Sequence, residues 1–400
     1  MATIDQTFAL AVKGYAWLPD LRRRAHGRPV PIRVGGQRAV ALSGPAAAEF
    51  FYADGHFERH SALPPFVVNT IFGRGAVHTL DGEAHRHRKA LFVELLMNDG
   101  IDTLTKLTGE AFDEAADRWR GGPAVSLFDE SARVLASAVT RWTGVPNERD
   151  FAALAADLLA MVDGFATGGP RHVRALRARR RRERRLARAI EEVRRAEPAD
   201  TAVSRIAHHL EDGYLLDPRV AAVEVLNIIR PATAVAWWMA FAGHALDRWP
   251  ANRAALRAGD ADFTTAFIHE LRRFYPFAPF LGGRAVRDLR FQGTDIPRGA
   301  MVLLDVYGQH HDPRVWAEPY TFRPERFLGR PLGPYELIPQ GGGDPRTGHR
   351  CPGEKITIAL LGTLVQRLAR LDYYLPPQDL TIDLSRIPAR PSSGLQIVVG

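Results

Sequence analysis

The chain has 400 residues, 46% of them hydrophobic and 24% charged, with a formal net charge of +8. That balance suits a globular protein able to bury a cofactor, and a single cysteine excludes an intrachain disulfide and any zinc or iron–sulfur site built from several cysteines. There is no basic leader ahead of an apolar run and no uninterrupted apolar stretch of about 18 residues, so a soluble cytoplasmic protein without a stable membrane anchor is expected.

PIRVGGQRAVALSG predicts two short strands around Gly35 and Gly36, a β-rich part at about 28–43. Helical periodicity then dominates from about 45 to 275. Within it, the arginine-rich run from Arg171 to Glu197 is read as a solvated helix face, with Val173, Leu176, Leu186, Ile190 and Val193 turned inward. No zinc-finger spacing and no aromatic–basic pattern points to nucleic acid. Pro218 to Trp249 is apolar on most sides and predicts one central, buried helix. After Tyr275-Pro276 come short strands, at about 284–305, then a coil rich in Pro, Gly and Asp from Gly308 to Gly343. A helix at about 352–370 and a C-terminal hairpin complete a single large domain over 1–400, mainly α with small β-sheets.

Cys351 lies in GGGDPRTGHRCPGEKITIALL. A lone cysteine is a bland buried residue, a nucleophile, or a single thiolate ligand to haem iron. A Gly-rich loop at a helix start favours the charged sulfur, because backbone N–H groups and the helix dipole stabilise a thiolate there. Further back, Arg230-Pro231 interrupts the apolar stretch NIIRPATAVAWW. An arginine in such a helix is costly unless an anion meets it. Proline removes one backbone hydrogen bond and opens a notch. Arg230 either pairs with an internal carboxylate such as Glu224, reaches the surface, or faces a pocket.

Three features occur in a fixed order. Glu270 and Arg273 share a helical face in AFIHELRRFYP, Arg326 follows in EPYTFRPERF, and Cys351 comes next in GHRCPGE. The chain thereby resembles the cytochrome P450 haem-thiolate family over essentially its whole length. The resemblance implies that family's fold, haem b as cofactor, Cys351 as axial thiolate to the iron, and a structural ion-pair network of Glu270, Arg273 and Arg326. The usual Phe-Gly-x-Gly pattern is absent: Asp344 is the seventh residue before the cysteine, and Gly341, Gly342 and Gly343 lie further upstream. This longer loop resembles the bacterial fatty-acid peroxygenase branch.

In that branch, Arg230 and Pro231 replace the acid–alcohol pair of other members. The resemblance then implies that Arg230 faces the distal pocket and binds the carboxylate of a long-chain fatty acid, which serves as acid–base toward hydrogen peroxide. A redox partner becomes optional. It places Phe72, Val77 and His78 beside the distal pocket, with Arg230, Pro231 and His78 as the catalytic set. Histidine at that place marks members that form terminal alkenes, with α- and β-hydroxylation competing; hydroxylating members often carry glutamine. Arg59, His85, Lys89 and His349 resemble the haem-propionate contacts. Val162, Phe165 and Phe280 resemble residues lining the alkyl tunnel. The alternatives are a reductase-dependent monooxygenase acting on fatty acids or another small molecule, and a non-catalytic helical protein that binds haem or nucleic acid.

Overall fold

Asp217 starts the central helix by accepting the N–H of Arg219, and Pro218 takes the first helical position, where no N–H is needed. In the computed structural model, which describes residues 4–97 and 100–400, this start leads into a helix Pro218–Thr233 and a second helix Val235–Arg248. The single helix expected here is therefore two. Pro231 cannot give an N–H to the carbonyl of Asn227, and the helix breaks three residues later at Ala234. By length and hydropathy the pair could cross a membrane, but 89% of its apolar window is buried inside the protein. It is the core, packed between the helices Leu127–Thr143, Gly169–Val193 and Glu354–Arg370.

Gly169–Val193 carries the arginine-rich run. Leu186 and Ile190 are buried, yet Val173 is 44% exposed, while Arg179 and Arg182 lie inside. The inward positions are thus partly cationic, because partners await them: Asp157 and Glu148 for Arg182, Glu183 for Arg179.

The main sheet lies to one side. Val30–Val34 pairs antiparallel with Gln37–Leu42; Met301–Asp305 continues parallel to the latter, followed by Phe280–Ala285 and the short edge Phe57–Glu58. Alternation covers both faces: Val40, Leu42, Val302 and Leu304 pack on Phe51, whereas Ile32, Ala41 and Leu303 pack on Trp17 and Leu18. Two helical turns, Val306–His310 and Pro324–Phe327, interrupt the expected coil. The expected C-terminal hairpin is instead part of a three-stranded sheet, in which Gln396–Val399 lies between Tyr373–Tyr374 and Val125–Ser126. Pro376, Pro377, Pro388 and Pro391 leave the intervening tail short of N–H donors for a ladder of its own.

Candidate active site

Cys351 sits just before the helix Glu354–Arg370, its N–H held by Gln340 O at 3.0 Å. The Gln340 side chain reaches Thr357 Oγ1 at 3.0 Å and lies 3.9 Å from the sulfur. Arg272 donates to Gln340 Oε1 at 2.9 Å and to Glu354, which also accepts from Arg350 Nε at 2.7 Å. Sequence reasoning missed Gln340, Arg272 and Glu354, since they meet only through the fold. Burial pushes the Cys351 thiol upward in pKa. Among the described residues no imidazole hydrogen-bonds it, so a free nucleophile would lack an activating base. A metal ion acts the other way and takes the sulfur as thiolate.

Behind this loop, Arg273 and Glu270 form two parallel hydrogen bonds of 2.7 and 2.8 Å, both side chains fully buried. Arg326 Nε stands 3.0 Å from Glu270, and the N–H of Arg323 donates to it at 2.7 Å. Arg273 also donates to the carbonyls of His310 and Pro319 at 2.7 and 2.8 Å. Every charge in this cluster has a partner.

A second cluster gathers the four residues expected at the haem propionates. His85 stacks on His349 with ring centres 4.0 Å apart, and Lys89 Nζ donates to Arg350 O at 2.6 Å. Arg59 lies 4.0 Å over the Phe51 ring and donates to Gly282 O at 2.8 Å. Asp81 accepts the N–H groups of Arg59 and His60 at 2.9 Å and lies 3.5 Å from His349. Burial and the neighbouring His349 lower His85 to about 3, and burial lowers Lys89 to about 8. Lys89 is buried, and among the described residues no carboxylate hydrogen-bonds it. Such a donor set is suited to receive two carboxylates.

Arg230 is 5% exposed on the central helix. Among the described residues its sole hydrogen bond is Nη2 to Asn227 Oδ1 at 3.1 Å, and Nε has no partner there. Burial and the Arg179 charge lower it to about 9. Glu224 does not pair with it directly. That carboxylate accepts from Arg88, from Val77 N–H at 2.8 Å and from Asn227 Nδ2 at 3.1 Å. Glu224, Asn227 and Arg230 recur every three residues, a stripe that the sequence could have revealed. Val77 opens the short turn Val77–Thr79, which carries His78. The His78 side chain is exposed, while the protein packed around it and the Arg230 charge lower it below the usual imidazole range. Phe72 stacks on His78 at 4.6 Å, with Phe165 edge-on to Phe72 at 6.3 Å. Arg179 fixes this corner by donating to the carbonyls of Ile71 and Phe72 at 2.8 and 2.7 Å. Gly73, at φ +89°, must lack a side chain because a Cβ would overlap that guanidinium.

Val162 is buried on the helix Phe151–Asp163. Phe280 stands apart from the Phe72 group: it packs edge-on to Trp17 in the N-terminal cluster. Phe277, three residues earlier, instead lies 4.9 Å from Trp238 of the core helix. The alternation of the strand Phe280–Ala285 turns Phe280 toward Trp17, which residue type alone does not disclose.

The fold and the site together define a cytochrome P450. The family model for cytochrome P450 matches residues 259–372. Structures titled cytochrome P450SP alpha (CYP152B1), one of them in complex with (R)-ibuprophen, are 37–38% identical, cover 99% of this chain and 98–100% of theirs, with TM-score 0.95. Cytochrome P450EX alpha (CYP152N1) with myristic acid is 34% identical over all of this chain and 97% of its own, with TM-score 0.94. A variant of cytochrome P450 OleT in complex with arachidonic acid is 36% identical over 98% and 96%, with TM-score 0.95. The chain belongs to the cytochrome P450 family, in the branch of these proteins. Among curated relatives, carnosic acid synthase of Rosmarinus officinalis is 25% identical over 86% of this chain and 80% of its own. The match to cytochrome P450 4e5 of Drosophila mettleri, 33% identical, covers 35% of this chain and spans only 30% of that protein's length. The cofactor is haem b, and the residues fit it: one half-buried cysteine sulfur, and a donor cluster of Arg59, Lys89, His85 and His349 for two carboxylates.

Proposed function

We propose that the protein is a hydrogen-peroxide-dependent fatty-acid peroxygenase that decarboxylates long-chain acids to terminal alkenes, with α- and β-hydroxylation competing. The observation that carries this reading is Arg230, a buried cation with one amide partner and an unpaired Nε. Cys351 would hold the haem as axial thiolate, with Arg59, His85, Lys89 and His349 at its propionates. Haem b, once bound, supplies the oxidising power that removes hydrogen from the substrate. The chain's own residues do the rest. Arg230 takes the substrate carboxylate through charge-assisted hydrogen bonds. The helix has no acid of its own between Arg230 and Trp237, so the bound carboxylate supplies the oxygen that accepts a proton from peroxide and returns it. That salt bridge also fixes which carbons lie nearest the reacting centre.

His78, stacked on Phe72, would offer its ring nitrogens to the substrate head. Each methylene buried along Val162 and Phe165 adds about 0.8 kcal/mol, which favours long chains. The related structures are complexes with (R)-ibuprophen, myristic acid and arachidonic acid, in line with an acid as substrate here. A soluble cytoplasmic enzyme is proposed; the apolar helix pair Pro218–Thr233 and Val235–Arg248 is buried in the core. The test is turnover of C12–C20 acids with hydrogen peroxide alone, products resolved by gas chromatography. Alkenes and hydroxy acids are expected. No turnover with peroxide, but turnover with a reductase system, would establish a conventional monooxygenase instead.

A further inference from the structure

Glu224 is wholly buried on the central helix and has three donors around it. Oε1 accepts Val77 N–H at 2.8 Å and Arg88 Nη1; Oε2 accepts Asn227 Nδ2 at 3.1 Å. Burial raises the Glu224 carboxyl in pKa, and the Arg88 guanidinium on Oε1 opposes that in favour of the ionised form; an ionised carboxylate can only accept, so Asn227 turns its NH2 toward Glu224. Its oxygen is thereby left for Arg230, whose Nη2 donates to it at 3.1 Å. With the amide flipped, NH2 would face guanidinium, donor against donor, and Arg230 would lose its only hydrogen-bond acceptor. Arg88 sustains the charge at the head of this chain: it binds Glu224 and, with two N–H groups, Glu211 of the hairpin Leu210–Leu215.

We infer that Glu224 is a positioning residue for substrate binding: its charge orients Asn227, and Asn227 holds Arg230 in the rotamer that meets a fatty-acid carboxylate. The same carboxylate anchors Val77, and with it the turn bearing His78. One buried charge thus sets the spacing of two groups on either side of the substrate head. This rests on Arg230 as the carboxylate anchor.

The experiment is a spectral titration of the haem-loaded protein with hexadecanoic acid. Glu224→Gln keeps an oxygen for Val77 but offers an NH2 to Asn227, which lets the amide flip. The dissociation constant should rise about tenfold, the scale of one lost hydrogen bond to a charged group. Asn227→Ala should raise it similarly, and adding Glu224→Gln to Asn227→Ala should change it by less than about twofold. Effects that multiply would overturn the inference, as would a Glu224→Gln constant within about twofold of the parent. Arg230→Ala separates the two levels. If it binds the acid normally, the anchor reading itself fails. If it weakens binding while Glu224→Gln does not, only the role of Glu224 fails. Should Glu224→Gln not retain haem, Asn227→Leu decides: normal binding of the acid by that variant overturns the inference.

Discussion

Arg273 and Arg230 are both arginines on core helices, and both are buried. Their surroundings differ in kind. Arg273 meets two carboxylate oxygens of Glu270 and the carbonyls of His310 and Pro319. Arg230 meets a single amide oxygen, with Nε unpaired. A fully partnered buried charge is architecture: its desolvation is offset within the fold, and it locks the segments that supply the partners. A buried charge left short of partners costs stability in the folded protein and is balanced only when an anion arrives. The same side chain is thus fully partnered at Arg273 and left short of partners at Arg230.

That contrast can be broken experimentally, most forcefully at Glu270. Glu270→Ala strands Arg273 and Arg326, so it should cost about 3–5 kcal/mol in urea denaturation. A loss below about 1 kcal/mol would show that the pair is not a lock. Arg230→Ala should behave in the reverse manner, with stability kept or raised. Peroxide-driven kcat/KM on hexadecanoic acid should fall about 100- to 1000-fold through the lost anchor and misplaced proton acceptor. Full activity in that variant would place the anchor elsewhere.

Asp305 offers an acidic counterpart. It is buried, one oxygen takes Gly308 N–H at 2.7 Å, the other has no partner, and burial pushes its pKa to about 7. A carboxyl raised in the folded state binds its proton more tightly there than in the unfolded chain. Its contribution is therefore full below the unfolded value of about 4 and is lost as pH climbs through about 7, by roughly 2–4 kcal/mol. Asp305→Asn should flatten the decline of Tm between pH 5 and 8; an unchanged slope would assign the decline to other groups. The smallest effect belongs to His78. One neutral hydrogen bond at about 1 kcal/mol makes His78→Gln shift the alkene-to-hydroxy-acid ratio about fivefold toward hydroxy acid, read by gas chromatography. An unchanged ratio would remove His78 from product choice.

Much of this was legible in the sequence where the information is local. Glu270 and Arg273 sit three apart, Pro231 follows Arg230 directly, and the lone cysteine stands in a glycine-rich loop at a helix start. Helical spacing and backbone chemistry act over a few residues, so such features can be read without the fold. Phe280 shows the limit. Its aromatic character fitted a tunnel, yet strand alternation sent it to Trp17. The arginine-rich run shows another, since Arg179 and Arg182 left the solvated face for distant acids and carbonyls.

The sequence by itself determined the cysteine in its glycine-rich loop, the Glu270–Arg273 spacing and the cation in an apolar helix. Only the tertiary structure decided that Glu224 belongs to Arg88 rather than Arg230, and that Asn227 stands between them. Arg88 lies 136 residues from Glu224 and Val77 lies 147. No periodicity encodes which of 49 arginines (53 basic residues, of which four are lysine) a buried carboxylate will meet. That choice follows from the packing of whole helices, which brings the Arg88 guanidinium to Glu224 and leaves that of Arg230 on the Asn227 amide.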